Sequence, residues 1–198
     1  MSLVVVDAGG ANLGSVCYAL QRLGVEARVS ADPVEIRAAP RLVLPGVGAA
    51  GPAMARLHSL GLVEVLRAFD RPLLGICLGM QLLFEASEEG DTACLGRLPG
   101  RVSALRPAPG LRVPHMGWNR LRRLRDSVLL AGIGEGEWAY FVHGYAAPIG
   151  PDCVAACDHG GPFAAVVERG PVMGAQFHPE RSAAAGRRLL ANFLELGA

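Results

Sequence analysis

Apolar residues fall in two patterns along this chain. In the first part they gather in short stretches, Leu3–Val6, Val25–Val29, Arg41–Leu44 and Leu73–Ile76, separated by Gly, Pro and polar turns. Such stretches suit strands buried on both faces of a parallel sheet. Between them, Leu13–Leu23 and Ala49–Phe69 carry apolar residues at helical spacing; the first stops at Gly24 and the second is interrupted at Gly61. Glu85–Gly100 is polar and glycine-rich and reads mostly as loop. From Arg101 the period changes. Val102–Leu105, Arg112–Pro114, Trp138–His143, Val154–Cys157, Phe163–Glu168 and Pro171–Gln176 read as short strands, several alternating as antiparallel strands with one wet face do. Ser182 opens a last helix, Ala183–Leu196. The expected fold class is α/β: an open, mostly parallel central sheet with helices on both faces and additional antiparallel strands in the C-terminal half. No linker or repeat divides it, so residues 1–198 are expected to form one domain.

Composition narrows the function. The net charge is +1, which gives no global field favouring nucleic acid. Arg120, Arg122, Arg123 and Arg125 crowd together; a solvated face or loop is the first reading and a partner contact the alternative. All 19 basic residues are arginine, so a Schiff-base lysine and a P-loop lysine are excluded. Gly9-Gly10-Ala11-Asn12-Leu13-Gly14 does not fit the dinucleotide fingerprint G-x-G-x-x-G. Five cysteines without a C-x-x-C, no charged n-region and no apolar run of about 20 residues predict free thiols in a reducing cytoplasm, with no metal, no cofactor and no membrane.

The chemistry gathers on Gly75-Ile76-Cys77-Leu78-Gly79. A strand ending in G-x-C-x-G and running straight into a helix is the nucleophile-elbow pattern with cysteine in place of serine. The turn lifts the sulfur to the sheet edge and sets it at a helix N-terminus, where N–H groups favour a thiolate. The N–H of Leu78 points where an oxyanion would form, and Gln81 lies one helical turn beyond Cys77 on the same face. In open α/β sheets sites form beyond the C-terminal strand ends. That gathers the loops Asp7–Asn12, Pro45–Gly48, the Cys77 turn and Gln176–Glu180. Pro45-Gly46-Val47-Gly48 can turn N–H groups toward the sulfur and complete an oxyanion hole. Of the five histidines, only His178 has a carboxylate two residues away across a proline, Glu180, which makes a Cys–His–Glu triad.

Gly75–Gln81, Leu44–Gly48 and Gln176–Glu180 resemble the class I (triad) glutamine amidotransferases. Val113-Pro-His-Met-Gly-Trp-Asn119, Tyr140–His143, Asn12-Leu13 and Glu180-Arg-Ser182 are similar, more narrowly, to the glutaminase subunits of imidazole glycerol phosphate synthases. The resemblance implies hydrolysis of glutamine to glutamate and ammonia through a Cys77 thioester. His178 then acts as acid and base, Glu180 orients it, and Gly46, Val47 and Leu78 form the oxyanion hole. It also implies glutamine binding by Gly48, Gln81, His143, Gly144 and Tyr145. The implied partner is a cyclase (β/α) barrel subunit, joined as a heterodimer across Asn12, Trp118, Tyr140 and Arg181, which uses the ammonia to make imidazole glycerol phosphate and aminoimidazole carboxamide ribotide. Two positions depart from the family: Ala8 stands where an aromatic is usual, and Gly144 where a hydroxyl residue is usual. The alternatives are a glutaminase subunit of another synthase, for anthranilate or pyridoxal phosphate, and a cysteine hydrolase of other substrates. The Trp118 segment argues against the first.

Overall fold

A computed structural model of the chain describes residues 3–9, 12–108 and 110–196; Gly10 and Ala11 of the first expected loop lie outside the described residues. The chain opens β1 (Leu3–Val6), α1 (Leu13–Gln21), β2 (Ala27–Ser30), α2 (Pro33–Ala38), β3 (Leu42–Leu44), α3 (Ala50–Ser59), α4 (Val63–Ala68), β4 (Leu73–Ile76) and α5 (Leu78–Leu82). Short pieces follow: β5 (Ala86–Ser87), a 3₁₀ turn at Glu89–Asp91, β6 (Thr92–Ala93) and β7 (Arg101–Ala104). The second half is β8 (His115–Arg120), β9 (Arg122–Arg123), β10 (Trp138–His143), β11 (Tyr145–Ala146), β12 (Cys153–Asp158), β13 (Pro162–Arg169) and β14 (Val172–Ala175). A 3₁₀ turn at Pro179–Arg181 then leads into α6 (Ala183–Glu195).

The main sheet has eight strands in the order β2-β1-β3-β4-β14-β13-β12-β9. The first five run parallel and the last three antiparallel. Strands β1, β3, β4 and β14 are buried throughout, as strands covered on both faces must be. Alternate residues serve two cores. Val5, Val43 and Leu74 pack with Val16 and Leu20 of α1 and Leu189 and Phe193 of α6. Val6, Leu42 and Leu73 pack with Ile36, Met54, Leu57 and Leu66 on the other face.

Two expectations shift. Arg112–Pro114 is not a strand; the ladder begins at His115, because Pro114 has no N–H to donate to it. Helix α2 falls in a stretch that reads as connection. Its signals are Asp32, which accepts the Val34 N–H at 2.7 Å, and Pro33 in the first turn.

Outside the main sheet, β8 and β10 form a two-stranded ladder and β11-β7-β5-β6 a four-stranded one. The β8–β10 pair lies over the sheet's C-terminal edge and is tied to it: His178 N–H donates to the Tyr140 carbonyl at 2.9 Å. Ser182 Oγ accepts the Tyr140 N–H at 2.9 Å and donates to the His178 carbonyl at 2.7 Å.

Candidate active site

The turn after β4 is strained as the glycine spacing requires. Cys77 has φ 53° and ψ −111°, and its N–H reaches across to the Ala175 carbonyl of β14 at 2.8 Å. A Cβ on Gly79 would sit 1.8 Å from the Leu44 carbonyl oxygen, and one on Gly75 would sit 2.7 Å from the Met80 backbone. Neither position admits a side chain, so β3 and the first turn of α5 close directly on each other. Gly46 is wedged in the same place, its absent Cβ 3.0 Å from the Gly79 nitrogen.

Cys77 and His178 are both buried and face one cavity of about 280 Å³. Val47, Gly48, Leu78, Gln81, His143, Gly144 and Tyr145, seven of the residues expected at the site, line it too; Gly46 lies behind, against the elbow. As a thiol, Cys77 donates to the Val142 carbonyl at 3.7 Å. Behind it, Glu180 Oε1 lies 2.8 Å from His178 Nδ1. Burial works against an imidazolium here. Hydrogen bonding and attraction to Cys77 and Glu180 outweigh burial and push the His178 pKa up to about 10. Burial likewise opposes the Glu180 carboxylate, but His178, and after it Asn12, hold its pKa below the ordinary value.

Sequence reasoning sets Asn12 toward a partner. Its half-buried side chain also reaches the triad, Nδ2 donating to Glu180 Oε1 at 2.7 Å across 168 positions of sequence. The remaining partner-facing candidates do cluster outside. Arg181 lies over the Tyr140 ring at 5.1 Å, and Tyr140 meets Trp118 edge-on at 5.7 Å. Trp118 is 49 % exposed and Met116 66 %, which leaves an apolar stripe on the outer face of β8–β10.

Gln81 is more committed than its helix position implies. Its Nε2 donates to the Tyr145 carbonyl at 2.8 Å and to Gln176 Oε1 at 3.0 Å, while Gln176 Nε2 approaches Cys77 Sγ at 3.8 Å. In the sequence Gln176 stands at the head of the Gln176–Glu180 loop, with no role of its own assigned. Sequence reasoning misses Glu89 altogether: it lies in the stretch that reads as loop, yet lines the cavity as its one carboxylate and accepts the Ala50 N–H at 2.7 Å from the start of α3. The Glu88-Glu89 pair offers no periodic signal that could mark it. Among the described residues, no group of three His, Cys, Asp or Glu side chains is arranged to hold a metal ion.

A strained cysteine beside a histidine–carboxylate pair, at the C-terminal ends of the parallel strands, has the arrangement of a cysteine triad hydrolase. The family model for class-I glutamine amidotransferases matches residues 4–196, and the chain belongs to that family. Its relatives narrow the branch. It is 66 % identical over 194 residues to the imidazole glycerol phosphate synthase subunit HisH of Xanthomonas campestris pv. campestris, covering 98 % of this chain and 97 % of that one. The HisH subunit of Xylella fastidiosa is 63 % identical over 196 residues, with 99 % and 98 % covered. Solved structures agree on the fold: a glutamine amidotransferase at TM-score 0.75 and 21 % identity, covering 97 % of both chains. A GMP synthase homologue from Thermoplasma acidophilum gives TM-score 0.74 at 21 % identity, covering 98 % of this chain and 92 % of that one.

Proposed function

We propose that this chain, acting as one domain, is the glutaminase subunit of an imidazole glycerol phosphate synthase and works at Cys77. The observation that carries this reading is the strained Cys77 sharing a cavity with His178, which Glu180 holds from behind. His178 takes the Sγ proton as the sulfur attacks. The sulfur attacks Cδ of the glutamine amide, and the N–H groups of Leu78 and the Gly46–Val47 loop hold the oxyanion. The C–N bond breaks as His178 returns the proton to the leaving nitrogen, which departs as ammonia. Water, deprotonated by His178, then splits the γ-glutamyl thioester and frees glutamate and the thiol.

Glu180 and Asn12 keep the imidazole turned toward the sulfur. Glu89 is the group that suits the substrate α-ammonium, because it is the carboxylate that lines the cavity. Gly48, Gly144 and Tyr145 offer backbone groups, and Gly144 retains its backbone where the family usually adds a hydroxyl. The ammonia passes to a cyclase barrel docked on Trp118, Tyr140 and Arg181, in the cytoplasm, where the five free cysteines stay reduced. The test is glutamate release from glutamine by the full chain, alone and co-expressed with the barrel subunit from the same genome. Turnover that depends on Cys77 and rises with the barrel is expected. No turnover in either sample would refute the reading.

A further inference from the structure

Strand β8 sends its side chains two ways. Met116, Trp118 and Arg120 face out, while His115 and Asn119 face in. His115 stands opposite His143 in the β8–β10 ladder, and both are buried. His115 Nδ1 and His143 Nε2 are 3.0 Å apart, so one must donate and the other accept. The Tyr145 carbonyl oxygen decides which. It lies 2.8 Å from His143 Nδ1 and can only accept, so that nitrogen carries a hydrogen. In a neutral His143, Nε2 is then the acceptor and His115 Nδ1 the donor. His115 Nε2 is left to accept, and it meets the Asn119 amide at 3.4 Å.

Both rings are neutral. Burial, then the charge of His159, pulls the His115 pKa down to about 4. Burial, reinforced by His115, His159 and His178, outweighs the Tyr145 bond and takes His143 to about 3. His115 is also clamped between rings, stacked on His159 at 4.0 Å and on Phe141 at 5.0 Å. Because both His143 nitrogens are engaged, His143 lines the cavity without a free nitrogen to offer it. The Tyr145 carbonyl that fixes it is the one that holds Gln81, and Gln81 holds Gln176 against the sulfur. A single line of hydrogen bonds thus runs from Asn119, beneath the exposed stripe, to Cys77.

We propose that His115 is a positioning residue for glutamine hydrolysis: a neutral histidine in one tautomer that, through His143 and the Tyr145 carbonyl, fixes the Gln81 and Gln176 amides against substrate and Cys77. The proposal rests on the glutaminase reading above, and its two tests fail separately. The first is ¹⁵N side-chain NMR of the unaltered full chain at pH 7. It should find His115 and His143 both neutral with hydrogen on Nδ1. A charged His115, or a His143 with hydrogen on Nε2, overturns the proposal whether or not glutamine is turned over. The second is steady-state glutamate release in the assembled synthase. His115→Phe keeps the ring stack and loses the N–H; it should raise KM for glutamine about tenfold and change kcat less. His115→Gln, whose amide can donate to His143 Nε2, should recover most of that loss. An unchanged KM in His115→Phe, a loss confined to kcat, or His115→Gln no better than His115→Phe overturns the proposal. Absence of turnover in the unaltered protein would count against the glutaminase reading and leave the NMR result standing.

Discussion

Asn12→Gly removes the amide that Glu180 receives and leaves the backbone at ease. Asn12 has φ 87°, a left-handed conformation that glycine adopts freely, whereas alanine there would add about 1–2 kcal/mol of strain. Glu180 cannot turn to solvent for a substitute: its side chain is 1 % exposed, and its second oxygen, Oε2, has no partner among the described residues. A hydrogen bond to a buried charge contributes about 1.5–3 kcal/mol, so kcat/KM for glutamine should fall about 10- to 100-fold as the imidazole loses its anchor. Stability should respond with a defined sign. Because Asn12 helps depress the Glu180 pKa, its contribution is full above the ordinary carboxyl value of 4.5 and is lost as pH falls through the folded value. The gap in urea midpoint between wild type and variant should therefore be widest near neutrality and close on the acid side. Glutamate release in the assembled synthase measures the first effect and urea titrations across pH the second. Wild-type kcat/KM in Asn12→Gly, or a gap that stays constant into acid, would refute the reasoning.

Three further outcomes are expected. Gly79→Ala places a Cβ 1.8 Å from the Leu44 oxygen and should cost about 3 kcal/mol or more, read as a lowered urea midpoint; a variant as stable as wild type would mean the elbow can open without penalty. Glu89→Gln should raise KM for glutamine about tenfold or more with a smaller effect on kcat, and a variant with wild-type KM would remove Glu89 from the ammonium site. The raised His178 pKa adds stability that is complete below 6.5 and disappears as pH climbs through about 10. Wild type should accordingly lose more stability than His178→Asn between those limits, and parallel curves would break the link.

The elements that position the nucleophile are legible in the sequence because their signals are local. Gly75, Cys77 and Gly79 fall within five residues, and His178-Pro179-Glu180 within three. The buried parallel strands announce themselves by unbroken apolar stretches. What stays hidden depends on distance. Nothing near Asn12 says that it will meet a carboxylate 168 positions away. Glu89 acquires its place only when a one-turn 3₁₀ segment folds back onto α3. The resemblance sets His143 against substrate, and only the fold, with His115 opposite it in the ladder and the Tyr145 carbonyl beside it, reveals that its nitrogens are already occupied. That register is itself obscured, because the apolar pair Val113–Pro114 draws the expected strand toward residues that cannot join the ladder.

The Cys77–Ala175 hydrogen bond bears on the order in which the chain is made. Ribosomes deliver β3 and β4 early, but β14, which anchors the Cys77 N–H, comes from the last quarter of the sequence, as do His178 and Glu180. Until that quarter emerges, Cys77 lacks the Ala175 carbonyl that receives its N–H and has neither His178 nor Glu180 beside it. The residues that flank the sulfur are therefore completed late, and a chain truncated before β14 lacks the His178–Glu180 pair altogether.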